Sequence, residues 1–266
     1  MQSTGRSVIL TEKLEIPSSF LQREVKVDFY FPDNFSNANL LLINDGQNME
    51  ELGLASILEQ LRDSIRPLVC IGIHASVDRK MEYGIASQLD YLGRGAKAKA
   101  YTSFILEELL PFAYKKYPGI HFSEKAFAGF SLGGLMAMDI VWNHPNEFNR
   151  VGVFSGSFWW RSLDQHNKEY DDDKHRIMQQ QIRNGEFRTG LKFFFQCGNK
   201  DETRDRNKNG IIDSVDDTLD VIKELVAKGY DPGNDIFYME MKEGHHDIAT
   251  WGKAMPEFLK WAWSNK

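Results

Sequence analysis

Residues Phe127-Ala128-Gly129-Phe130-Ser131-Leu132-Gly133-Gly134 decide how this chain is read. An apolar run ends there in Gly-x-Ser-x-Gly, and a helical pattern from Leu135 to Asn143 follows at once. Strand, tight turn and helix in that order hold a serine hydroxyl out from the backbone. The flanking glycines permit the turn because they have no Cβ to clash where the chain reverses. The pentapeptide alone is a weak signal, and its weight depends on the rest of the chain.

Outward from that turn, apolar runs and helical patterns alternate. Leu40-Leu41-Leu42-Ile43, Leu68 to Ile73, Ala126 to Phe130, Arg150 to Phe154, Lys192 to Gln196 and Ile236 to Met241 read as strands. Continuous runs of this kind belong to strands covered on both faces. Helical spacing occurs over Met49 to Ser64, Tyr101 to Tyr117, Thr218 to Lys228 and Ala254 to Ser264. In the Tyr101 helix Phe104, Ile105, Leu109 and Phe112 share one face. Strands alternating with helices predict a mainly parallel sheet with helices on both sides. Two earlier segments, Ser7 to Ile16 and Glu24 to Phe31, differ: the second alternates, with Val25, Val27, Phe29 and Phe31 on one face. Turns at Pro17-Ser18-Ser19 and Pro32-Asp33-Asn34 punctuate them, and together they predict an antiparallel N-terminal edge.

The chain has 266 residues, 42% of them hydrophobic, and no repeat or linker-like break, so one domain over 1–266 is expected. Its polar stretch at about 158–188, which includes Asp171-Asp172-Asp173-Lys174, reads as an insertion above the sheet with one helix near Lys174 to Ile182. That stretch forms either a solvated face or a cap over a cleft. A net charge of −6 with no long Lys/Arg run argues against nucleic acid as a partner. No apolar stretch reaches the ~18 residues of a membrane span, so no membrane partner is expected. Met1 to Phe20 has no signal-peptide core, which predicts a cytoplasmic protein. Cys70 and Cys197 lie in apolar runs and read as buried free thiols. Oligomeric state is not legible.

A serine nucleophile needs a base, an orienting acid and oxyanion donors, placed at the carboxyl ends of parallel strands. Among seven histidines, His245 and His246 follow the Ile236 strand and a Gly244 turn, and His74, which follows the Cys70 strand, competes with them. Asp201 and Glu202 stand where the Phe193 strand runs out through Gly198-Asn199-Lys200. Ser131, Asp201 and His246 then follow the chain order of the α/β-hydrolase fold, the fold class expected here. One oxyanion donor is the N–H of Leu132; the other is the N–H of Gln47, in the loop Asn44-Asp45-Gly46-Gln47-Asn48. Phe158, Trp159 and Trp160 follow the Val151 strand and either line a pocket for an acyl or aromatic group or pack in the core. Arg79 either meets an anionic substrate group or pairs with Glu82 or another carboxylate.

Taken together, Leu-Leu-Ile-Asn-Asp-Gly-Gln (41–47), Ala-Gly-Phe-Ser-Leu-Gly-Gly (128–134) and Glu-Gly-His-His-Asp-x-x-x-Trp (243–251) resemble the esterase D / enterochelin-esterase group of α/β-hydrolases, relatives of feruloyl esterases. Arg79-Lys80-Met81-Glu82-Tyr83 and the segment from Phe104 to Pro111 match its pattern too, and the likeness covers roughly residues 7 to 262. The family carries Gly-Gly-His before an aspartate or asparagine, which puts the base on His246; here His245 replaces the second glycine. Its Gly-x-x-Asp context puts the acid on Asp201. The resemblance implies a serine esterase working through an acyl-enzyme on small-molecule or carbohydrate-linked esters, such as siderophore, feruloyl or acetyl esters. It implies no organic cofactor. An acyltransferase, a serine peptidase and a non-catalytic binding protein of the same fold are the other readings.

A second motif lies close after Asp201. Asp205-Arg206-Asn207-Lys208-Asn209-Gly210-Ile211-Ile212-Asp213-Ser214-Val215-Asp216 fits the twelve-residue calcium-loop template. Asp205, Asn207, Asn209, Asp213 and Asp216 occupy ligand positions, Ile211 offers its carbonyl, and Gly210 permits the sharp turn. Position twelve is the shorter aspartate rather than glutamate. A structural calcium that stiffens the acid-bearing loop is expected, and a polar turn capping the Thr218 helix is the other reading.

Overall fold

The computed structural model describes residues 8–33 and 37–265; Ser7, the expected start of the first strand, Asn34 of the second turn and the first seven residues of the N-terminal stretch lie outside them. In chain order the elements are β1 Ile9–Ser18, β2 Arg23–Pro32, β3 Asn37–Asn44, α1 Met49–Leu52, α2 Leu54–Leu61, β4 Leu68–Ile73 and α3 Arg79–Glu82. Then come α4 Ala98–Ser103, a π-helical segment Phe104–Leu109, α5 Leu110–Lys116, β5 His121–Phe130, α6 Leu132–Asn143 and β6 Arg150–Phe154. The chain closes with α7 Asp172–His175, α8 Ile177–Asn184, β7 Lys192–Lys200, α9 Asp213–Lys228, β8 Ile236–His245 and α10 Ile248–Trp263.

The eight strands make one sheet in the order β1-β2-β4-β3-β5-β6-β7-β8. β1 and β2 pair antiparallel with each other and β2 antiparallel with β4, while every later pairing is parallel. This is an α/β-hydrolase-type sheet with an antiparallel edge, as the alternation of Val25, Val27 and Phe29 predicts. Period two divides the central strands between two cores. Leu40, Leu42, Val69, Ile71, Phe193 and Phe195 face α4 to α6, α8 and α9. Leu41, Ile43, Cys70 and Phe194 face α1, α2 and α10. With both faces covered, the strands read as unbroken apolar runs. Both cysteines are buried and free. Among the described residues, no helix is long and apolar enough to cross a membrane.

Local chemistry explains where elements depart from their sequence patterns. The helix expected over 49–64 breaks at Gly53, which takes φ 78° and ends α1 in a left-handed cap. The helix expected over 101–117 passes through the π-helical segment just before Pro111, whose ring and missing N–H an α-helical interior does not accommodate. Helix α10 starts at Ile248, ahead of the expected Ala254, because the Asp247 side chain caps it by accepting from the Thr250 N–H at 2.8 Å. The segment 158–188 holds two helices where one was expected. It is also less of a solvated face than its charge predicts, since Phe158, Trp160, Ile177, Met178 and Ile182 are buried in the core.

Candidate active site

Ser131 stands between β5 and α6 with φ 53° and ψ −121°, a backbone that a residue with a Cβ adopts only under constraint. The constraint is close packing. A Cβ on Gly129 would fall 2.3 Å from the Gly133 carbonyl oxygen, and one on Gly133 would fall 2.7 Å from Asp45 Oδ2. Helix α6 starts at Leu132 rather than Leu135, so the Leu132 N–H lies in a first turn and has no intrahelical acceptor. The Ser131 N–H donates to the Phe154 carbonyl at 2.9 Å, and its Oγ lies 3.3 Å from Ser157 Oγ.

The structure brings Asp201 and His246 together from the ends of the next strands. His246 Nδ1 is 4.0 Å from Asp201 Oδ2; the imidazole is 38% exposed and the carboxylate is fully buried. Neither oxygen of Asp201 completes a hydrogen bond in this resting geometry. Burial pushes its pKa above the ordinary carboxylate range, against the opposing pull of the Ser155 hydroxyl, the Gly198 backbone and His246. Gly198 is obligatory here, because a Cβ would sit 2.3 Å from the Gly244 carbonyl oxygen and 2.7 Å from Asp201 Oδ1. The competing residues go elsewhere: Glu202 pairs with Arg204 at 2.7 Å, and His74 Nε2 meets Asp28 Oδ2 at 2.9 Å. His245 is exposed at the end of β8, its N–H donating to Thr250 Oγ1 at 3.0 Å.

The loop after β3 packs against the serine turn. Asp45 takes a left-handed backbone, φ 62°, and its carboxylate receives Arg79 Nε at 2.6 Å and Nη2 at 2.7 Å. The same Nη2 reaches the Phe130 carbonyl at 3.3 Å, so Arg79 ties the loop after β3 to the residue before Ser131. Asn44 Nδ2 donates to the Gly133 carbonyl at 2.8 Å and adds a second tie. Arg79 therefore pairs with Asp45, while Glu82 pairs with Arg23 at 2.7 Å. Gln47 follows Gly46 in the first helical turn, with its side chain exposed and Oε1 accepting from the Ala75 N–H at 2.9 Å.

Two aromatic residues after β6 part company. Trp160 is fully buried and wedged between Gly84 and Gly95, where a Cβ would come within 2.7 and 2.9 Å of its ring. Trp159 is half-buried, with the Arg94 guanidinium 4.8 Å above its ring. Asp90 holds Arg94 through Nε at 2.6 Å. Two charges of the 158–188 segment, Arg176 and Asp172, are engaged as well. Arg176, 3% exposed, binds Asp217 at 2.8 Å and Asp220 at 2.6 Å, and Arg206 binds Asp217 at 2.6 Å and Asp172 at 3.0 Å.

That network reaches the twelve-residue loop. Asn207 Nδ2 meets Asp216 Oδ2 at 2.6 Å and Asn209 Nδ2 meets Asp216 Oδ1 at 3.3 Å. Asp205 and Asn207 both accept from the Asn209 N–H at 3.1 Å, and the Ile211 N–H donates to Asn209 Oδ1 at 2.8 Å. Asp213 is drawn aside by the Arg206 N–H at 2.8 Å and Nη1 at 3.2 Å. Four of the ligand side chains thus gather, and Asp213 does not join them. Among the described residues no three His, Cys, Asp or Glu side chains cluster as a metal site.

Sequence reasoning passed over Ser155, Ser157 and Arg94. The first two had a signal, since Ser155-Gly156-Ser157 ends the strand lying between the serine strand and the acid strand. Arg94 had none, because its contact with Trp159 spans 65 residues of chain (159 − 94).

The profile of the Putative esterase family matches residues 18–262. The uncharacterized protein YjcH of Bacillus subtilis is 23% identical over 251 residues, 91% of this chain and 93% of that protein. Among solved structures, the enterobactin esterase of Shigella flexneri superposes with a TM-score of 0.70 at 19% identity, covering 95% of this chain. This chain spans only 58% of that one's length. The siderophore hydrolase EstB of Aspergillus nidulans gives a TM-score of 0.68 at 15% identity, over 98% of this chain and 96% of its own. With the match running over nearly its whole length, the chain belongs to the Putative esterase family of ester hydrolases.

Proposed function

We propose that the chain is a serine carboxylic-ester hydrolase that works through an acyl-enzyme. The observation that carries this reading is one of placement. Ser131, Ser155 and Ser157, Asp201 and His246 stand at the carboxyl ends of β5, β6, β7 and β8, four neighbouring strands of one sheet. In the proposed reaction the Ser131 hydroxyl attacks the ester carbonyl and His246 takes its proton. His246 then returns a proton to the leaving alcohol, and water completes the cycle by the same route. Asp201 orients the imidazole, closing the 4.0 Å gap as substrate docks. The Leu132 and Gln47 N–H groups receive the oxyanion, with Arg79 and Asp45 fixing the distance between them.

The proposed substrates are siderophore esters or feruloyl and acetyl esters of carbohydrates, in keeping with the enterobactin esterase and the siderophore hydrolase among the structural neighbours. Trp159 under Arg94 offers a flat, positively edged surface suited to an aromatic or anionic acyl group. A calcium ion on Asp205, Asn207, Asn209, Asp216 and the Ile211 carbonyl is proposed as a structural support, with Asp213 acting through water or not at all. The test of the function is an ester panel: p-nitrophenyl acyl chains, feruloyl sugars, acetylated xylan and a catecholate siderophore. Activity on at least one class that disappears in Ser131→Ala supports the reading. A panel with no Ser131 dependence overturns it.

A further inference from the structure

Two neighbouring strands end alike. Ser131 after β5 has φ 53° and Ser155 after β6 has φ 48°. Each N–H donates to a carbonyl of the next strand, Ser131 to Phe154 at 2.9 Å and Ser155 to Gln196 at 2.7 Å. A non-glycine residue in this conformation is strained, and glycine would sit there freely. At Ser131 the strain presents a nucleophile. At Ser155, 1% exposed, the hydroxyl is out of any substrate's reach and must serve another group.

That group is identified by what surrounds it. Ser155 Oγ accepts the Trp251 indole N–H at 3.0 Å, which leaves its single proton free to be donated. The acceptor beside it is the carboxylate of Asp201, fully buried, with both oxygens still lacking a completed hydrogen bond. Trp251 meets the base as well. Its ring lies edge-on to His246, with centroids 5.2 Å apart and planes at 79°, and it stacks on Phe130 at 5.0 Å. One indole therefore touches the base and the residue before the nucleophile, and it fixes the hydroxyl that faces the acid.

We propose that Ser155, held by Trp251, is a positioning residue for the acid–base pair: as Asp201 and His246 close their 4.0 Å gap, its hydroxyl donates to the carboxylate and aims it at the imidazole. This rests on the serine-hydrolase reading above. Burying an anion without donors is costly, and a charge-assisted hydrogen bond offsets that cost. The motif that carries His246 also supplies Trp251 on α10, so the base and the support for the acid come from one segment.

Ser155→Gly deletes the hydroxyl and suits the backbone. Measured on the full chain with p-nitrophenyl acetate, it should lower the acylation rate at least about tenfold with KM unchanged. In an Asp201→Asn background, read at high enzyme concentration, the same substitution should change the rate less than about twofold, because the groups act as one unit. An equal loss in both backgrounds would mean a general structural role and overturn the proposal. So would no loss in the wild-type background while hydrolysis still depends on Ser131. Hydrolysis that does not depend on Ser131 would overturn the hydrolase reading and this inference with it. Should Ser155→Gly fail to fold, Trp251→Phe, which keeps a ring and removes the donor, is read against the same two backgrounds.

Discussion

Asp201 shows at the scale of one residue how function and stability pull apart. Burial raises its pKa, so the folded state resists the ionised form that the proposed mechanism uses. The sign follows from linkage. An acid whose folded pKa is raised weakens the fold fully above that pKa and not at all below its unfolded value. Asp201→Asn should therefore lower kcat by about 10³–10⁴-fold and yet unfold at a higher temperature than wild type at pH 7. The thermal advantage should shrink as pH falls from the raised pKa of the folded state down to the ordinary carboxylate value. Activity assays paired with calorimetry at pH 4 and pH 7 check both halves, and a lower Tm at pH 7 would contradict the burial argument.

The elements around the site are joined through polar ties as well as apolar packing. Arg176 on the turn between α7 and α8 reaches Asp217 and Asp220 on α9, and Arg206 in the twelve-residue loop shares Asp217. Removing Arg176 leaves the buried Asp217 with Arg206 alone, so Arg176→Ala should cost about 1–3 kcal/mol of stability. Denaturant unfolding measures it, and a loss below about 1 kcal/mol would mean the network carries no weight. These ties were the least legible part of the sequence. The strands were plain because two-sided burial writes itself as unbroken apolar runs, and the turns bearing Ser131, Asp201 and His246 were legible because each follows such a run, while the choice of Asp201 over Glu202 and of His246 over His245 came from the family resemblance. In the acidic run, Asp172 read as solvated because its partner Arg206 lies 34 residues on, whereas Asp171 and Asp173 do pair nearby, with Lys174 and Arg183. Boundaries were missed where a single residue sets them, as the Asp247 side chain does for α10 and the left-handed Gly53 backbone for α1.

Over the whole molecule, the proposed cation should act as a ligand of the folded state alone. Calcium should then raise Tm by an amount that grows with the logarithm of its excess over Kd, and a chelator should remove that gain. Thermal melts in EDTA and in calcium chloride report this directly. Coincident melts with equal esterase activity would remove calcium from the account and leave the loop as a cap for α9. The sheet itself should be unaffected, since its two cores pack without the loop.

The central claim is that one hydroxyl, at the strained turn between β5 and α6, is the nucleophile. A fluorophosphonate probe followed by peptide mass spectrometry tests it most directly. Labelling of Ser131 should be stoichiometric, lost in Ser131→Ala and slowed in His246→Ala. Folded wild-type protein that takes no label, or takes it on another residue, would contradict it.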